Sequence, residues 1–108
     1  MSFLRKLFGK KDEPITNYED FWIWFQKNER DFYHVVKNRG DIEKVFFDKL
    51  SPKLEELKEG YFFVTGMLDD HTVELIITAD GNTLNVAFVE ELVKHAPEIT
   101  GWKFQVLD

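Results

Sequence analysis

Between residues 18 and 36, Tyr18, Phe21, Trp22, Phe25, Phe32, Tyr33 and Val36 fall within one narrow arc when the chain is wound at about 100° per residue. A helix with six rings on one stripe cannot leave that stripe in water. It has to lie against a second layer, and this requirement frames everything else the chain can do. The start of the helix is marked by Thr16 or Asn17 as cap after Pro14, with Glu19 and Asp20 placing negative charge in the first turn. Asn38, Arg39 and Gly40 provide its stop.

The remaining residues suggest what the second layer is. Asp41 can cap a second helix with Ile42, Val45, Phe46, Leu50, Leu54 and Leu57 at helical spacing, and Gly60 ends it. Ser51-Pro52 interrupts this run, because proline lacks the backbone donor and disfavours helical geometry in the residue before it. The expectation is a kink, or two abutting helices with Ser51 as cap and Pro52 in the first position of the second. From Tyr61 the composition turns to aromatic and β-branched residues. Tyr61 to Leu68 and Thr72 to Ala79, separated by Asp69-Asp70-His71, read as a hairpin. Asp80-Gly81 then leads into Asn82 to Val89, where Leu84, Val86 and Phe88 alternate with Thr83, Asn85 and Ala87, and a three-stranded antiparallel meander is expected. Val89 to Ala96 reads as a short helix stopped by Pro97, and Trp102 to Leu107 as a last, half-buried strand. The predicted order is ααβββαβ: an α+β domain whose four-stranded sheet packs one face on helices, mixed if the last strand lies beside the first or the third.

Charge divides the 108 residues unevenly. Arg5, Lys6, Lys10 and Lys11 give the first eleven residues +4, and the other 97 hold ten cations against twenty acids, a net −10. The predicted organisation is therefore a basic amphipathic N-terminal segment, 1–13, and a single acidic α+β domain, 14–108. Phe3, Leu4, Leu7 and Phe8 stand among the four cations at helical spacing, so residues 1–11 suit weak peripheral contact with a membrane surface or with another protein, or else form a frayed terminus. The segment is too short for a signal peptide's apolar region and Ser2 stands where myristoylation requires glycine, so it is expected to stay on the mature chain. The acidic body repels phosphate backbones, which excludes nucleic acid as the expected partner and favours a basic one. With no cysteine and no apolar run near the ~18 residues of a membrane span, a reducing compartment, the cytoplasm, is expected.

Glu29 is the anomaly of the first helix: it occupies the centre of the aromatic stripe, one turn after Phe25 and one turn before Tyr33. A carboxylate there must find a cation or hydrogen-bond donors, take up a proton, or stand where the stripe opens into a cleft. It is either structurally paired, with a lysine, a tyrosine hydroxyl or backbone amides, or a pocket residue. Trp24 lies about 120° from the stripe's centre and is either sandwiched between layers or exposed as a partner anchor, with Phe3 and Phe8 the other partner-binding candidates. Asp69, Asp70, His71 and Glu74 match no metal-loop spacing, Asp80-Gly81-Asn82 lacks the rest of a calcium loop, and His34, His71 and His95 are scattered. No metal site, cofactor or catalytic residue is assigned, and no phosphate-binding, dinucleotide or nucleophile motif is present in the sequence.

The opening Met1 to Lys11, the run Phe21-Trp22-Ile23-Trp24-Phe25, and the stretch from Thr78-Ala79-Asp80-Gly81 through Val89-Glu90-Glu91-Leu92 to Gly101-Trp102-Lys103-Phe104 resemble small uncharacterised bacterial proteins. The resemblance implies a bacterial cytosolic origin and carries over no activity and no catalytic residue. The function expected is a non-catalytic protein–protein interaction module that uses exposed rings or a sheet edge, where self-association into a homo-oligomer is one outcome. An immunity-type protein covering the basic active site of a toxin is a sharper version. A small-molecule binding domain or enzyme with a pocket around Glu29 is the alternative of a different class.

Overall fold

The structure is a computed structural model and describes residues 14–107. The basic segment, with Phe3 and Phe8, lies outside the described residues.

Helix α1, Tyr18–Lys37, follows the aromatic stripe and buries Phe21, Trp22, Phe25, Phe32 and Val36. Asn17 is its cap, accepting from the Asp20 amide at 2.7 Å. After the Asn38-Arg39-Gly40 turn, a π-helical turn, Glu43–Phe47, runs directly into α2, Asp48–Leu57. The break expected at Ser51-Pro52 is absent, since α2 passes through Pro52 and Ser51 caps nothing. The irregularity lies one turn earlier, and packing gives the reason. The wide turn lets consecutive residues face the interior together, Phe46 stacked on Phe32 at 4.4 Å and Phe47 edge-on to Phe63 at 4.8 Å. Pro52 is exposed to solvent.

Strands β1, Phe62–Met67, and β2, Val73–Thr78, form the predicted hairpin, with Phe62 opposite Thr78 and Met67 opposite Val73. The third strand of the meander is a correction. Asn82 caps a 3₁₀ turn, Thr83–Asn85, by accepting from the Leu84 amide, and α3, Val86–Lys94, follows at once. The two-residue alternation of Leu84, Val86 and Phe88 coexists in the sequence with a helical period through Val86, Val89 and Val93, and the helical one prevails. The last strand, β3, Trp102–Leu107, pairs parallel with β2, and parallel neighbours need a crossover that no tight turn provides. Residues 82–95 are that crossover. Among the described residues the sheet is therefore three-stranded, mixed and ordered β1-β2-β3, rather than four-stranded with an antiparallel meander. The α+β class stands.

The helices cover one face of this sheet. Val73, Leu75 and Ile77 of β2 point into the core, flanked by Phe63 of β1 and by Trp102 and Phe104 of β3. Phe25 stands edge-on to both Trp102, at 4.9 Å, and Phe104, at 5.5 Å, so one ring of α1 touches the strand that closes the sheet. The Trp22 indole donates to the Leu92 carbonyl at 2.8 Å, fixing α1 to α3. Gly101 makes the approach to β3 possible. Its φ of +90° suits glycine, and a Cβ there would come within 2.9 Å of the Tyr33 ring. No helix of the described residues is long and apolar enough to cross a membrane.

Candidate functional site

Because strands alternate, the register also fixes what lies on the sheet's other face. Three cross-strand rows occupy it: Gly66, Glu74 and Lys103; Val64, Ile76 and Gln105; Phe62, Thr78 and Leu107. The surface is polar at one end and apolar at the other. Phe62, Val64 and Leu107 are 50%, 52% and 56% exposed, and no helix of the described residues packs over them. From the middle row the Gln105 side-chain amide donates to the Glu74 carboxylate of the polar row. A Cβ added at Gly66 would meet nothing within 4 Å, so the polar row carries a shallow gap on the β1 side.

Glu29 is engaged. Its Oε2 accepts from the Trp102 indole at 2.7 Å and its Oε1 lies 3.3 Å from Arg30 Nε, with the carboxylate side chain only 14% exposed. The carboxylate at the centre of the stripe thus ties α1 to the first residue of β3. The arrangement is a structural pairing, although its main partner is an indole 73 positions away rather than the lysine, tyrosine or amides that the sequence suggested. Arg30 in turn lies over the Tyr33 ring at 4.8 Å. Trp24 is half-buried at the rim of the core, its ring 5.8 Å from both Phe21 and Phe32.

A depression of about 290 Å³ lies elsewhere, lined by Thr16, Asn17, Tyr18, Leu57, Lys58, Tyr61 and Phe88, and it does not include Glu29. Lys58 covers the Phe88 ring at 4.7 Å, and Tyr18 stacks on His95 at 5.2 Å. Burial pushes the Tyr61 phenol well above its ordinary range, and the neighbouring Tyr18 adds to the shift. The polar side chains of this lining are those of Thr16, Asn17, Tyr18, Lys58 and Tyr61, with Lys58 already engaged with a ring.

The Asp69-Asp70-His71 turn is tied back to α1. Tyr33 donates to the His71 carbonyl at 2.8 Å and Lys37 to the Asp70 carbonyl at 2.6 Å. Asp69 accepts from the His71 amide at 2.8 Å, and this bond, helped by Thr72, holds its carboxyl below the usual carboxylate range. Among the described residues no group of three or more histidines and carboxylates is gathered to hold a metal ion.

Comparison with protein-family models, with curated proteins and with solved structures finds no match to this chain. The bacterial resemblance gains no support from them and stays an expectation. Sequence reasoning singled out Trp24 and Glu29, which the structure keeps apart from the exposed sheet face. It missed Phe62, Val64 and Leu107. The available signal was the run Tyr61 to Leu68, apolar on both alternations of the strand, which calls for cover on both faces.

Proposed function

We propose that this chain is a non-catalytic interaction domain that docks a protein partner on the outer face of its sheet. The observation that carries the reading is the adjacency of Phe62, Val64 and Leu107, each about half exposed, around Ile76 on a face without a covering layer among the described residues. Each Å² of such surface removed from water contributes roughly 25 cal/mol, and contiguous apolar patches of this kind mark contact sites more often than isolated exposed side chains do. The outer edges of β1 and β3 add unpaired backbone groups for strand addition. Trp24 serves packing in this reading, and the partner anchors are Phe62 and Leu107.

The test is comparative. The native full chain and its Ile76→Lys and Trp24→Ala variants are immobilised, and the proteins each retains from a lysate of the source cells are identified by mass spectrometry. A protein held by the native chain and by Trp24→Ala but lost from Ile76→Lys is expected. Identical sets for native and Ile76→Lys overturn the proposal, and loss only from Trp24→Ala moves the anchor to α1.

A second reading, neutralisation of a basic toxin, is favoured by the net −10 outside the first eleven residues. It would use the acids on the helices, such as Glu19, Asp20, Glu55 and Glu90, all exposed, rather than the sheet. Docking of that kind weakens steeply with salt, whereas apolar docking on the sheet does not.

A further inference from the structure

We infer that the partner seated on the outer sheet face is a second copy of this chain, the two sheets packing face to face about a two-fold axis parallel to β2. The inference rests on the docking reading above and names its occupant. It follows from how the nine residues of the face are arranged. A two-fold axis along the strand direction places β1 of one copy over β3 of the other at the same level, and β2 over itself. The cross-strand rows then dictate every opposition. Phe62 meets Leu107 twice, once in each direction, and Ile76 meets Ile76. Lys103, which is exposed, comes over Gly66, where a Cβ would find only open space. There the ammonium group lies beside the partner copy's Glu74, because Gly66 and Glu74 are cross-strand neighbours. The two Glu74 carboxylates that approach at the axis are thus flanked by two lysines. An axis across the strands does the opposite, setting Lys103 on Leu107 and Phe62 against the Gly66 gap. Of these two axes, the one along β2 brings Phe62 to Leu107 and Lys103 to Glu74, with Val64 facing Gln105 in the middle row.

Charge selects the same partner. The chain is strongly acidic as a whole, yet this face carries one acid and one base in a single row, so two copies can approach here without the repulsion that their helical faces would meet. A basic partner finds no surplus of acid on it, since Glu74 already accepts from Gln105. Sheets packed this way keep their strands aligned within about 30° and stand roughly 10 Å apart. Three six-residue strands present a patch of roughly 14 Å by 20 Å. That is well short of the ~800 Å² per partner of a standard interface, so the dimer is weak and depends on concentration.

Sedimentation equilibrium of the full chain over a wide concentration range tests this. The weight-average mass is expected to rise from 12.9 kDa toward twice that value. Gly66→Val fills the gap that receives Lys103 and leaves the monomer unstrained, so it should shift half-dimerisation to at least about tenfold higher concentration with an unchanged thermal midpoint. Ile76→Lys, which sets two cations against each other at the axis, should hold the mass at 12.9 kDa. A chain that stays monomeric at all concentrations overturns the inference. If Ile76→Lys nevertheless loses a captured protein, the docking reading survives with a different occupant. A dimer indifferent to both substitutions uses another surface and also overturns the inference. So does dimerisation seen only in a Phe3→Ser, Phe8→Ser double variant, which would give the face to residues 1–11 instead.

Discussion

Strand β2 has two sides that could hardly differ more in what surrounds them. Val73, Leu75 and Ile77 are fully buried under helices, while Glu74, Ile76 and Thr78, one residue along in each case, face outward between the exposed side chains of β1 and β3. Residue type alone does not separate the sides, since Ile76 and Ile77 are identical. What differs is the layer supplied from elsewhere in the chain. Helices α1 and α3 cross one face, linked by the Trp22–Leu92 hydrogen bond, and no described element crosses the other. An apolar face left without a layer by the described residues is therefore available to one from elsewhere.

The largest way to break this contrast is to remove a ring from the covered side. Phe25 is completely buried and touches Phe21, Trp22, Phe32, Phe46, Trp102 and Phe104. Phe25→Ala should destabilise the fold by about 3–5 kcal/mol, measured by urea unfolding, because the lost transfer energy adds to a cavity that six surrounding rings cannot collapse into.

A smaller effect compares the faces directly with one substitution. Val73→Thr places a hydroxyl in a dry site and should cost about 1–3 kcal/mol. Val64→Thr makes the same change on the outer face and should stay within about 0.5 kcal/mol, while weakening partner docking. Equal losses at the two positions would mean that the outer face is covered after all.

How much of this was legible beforehand depends on the range of the interaction responsible. The α1 stripe, a cap at Thr16 or Asn17 and the β1–β2 hairpin are encoded within a few residues of each other and are legible in the sequence. The helix before the last strand is legible as well, but the pairing of that strand with β2 rather than with the first or third strand is not, because it is decided by residues some thirty positions apart. Leu84 shows the cost of relying on alternation: its spacing places it in a strand, yet it is 82% exposed in a 3₁₀ turn. Glu29 lies between these cases. Its need for a partner was visible from its place in the stripe, but the identity of that partner, Trp102, was not. A buried indole must also find an acceptor, and the fold meets both needs with one bond between residues far apart in the chain.

That clamp provides the next prediction. Glu29→Leu leaves the Trp102 indole without its acceptor and should cost about 1–2 kcal/mol by thermal or urea unfolding, offset in part by the apolar surface that leucine buries. Glu29→Gln keeps an acceptor and should recover most of the loss. A leucine variant more stable than the native chain would show that the carboxylate is not needed to hold β3 under α1.

The smallest effect concerns how the two faces are kept distinct. A slip of one residue between β1 and β2 would exchange them, turning Ile77 outward and Ile76 in. Two devices oppose it: the Asp69 turn, in which the carboxylate accepts from the His71 amide, and the burial of Val73, Leu75 and Ile77. Because the Asp69 carboxyl is held below its ordinary value in the fold, its contribution is present above the unfolded carboxylate range and is lost as pH falls through the lowered folded value. Asp69 is fully exposed, so that contribution is small. Asp69→Ala should therefore flatten the acid limb of the stability profile slightly while leaving the register intact, with the cross-strand contact between Phe62 and Thr78 still seen by NMR. A shifted register in this variant would mean that the turn, rather than the three buried side chains of β2, decides which face of the sheet is left for a partner.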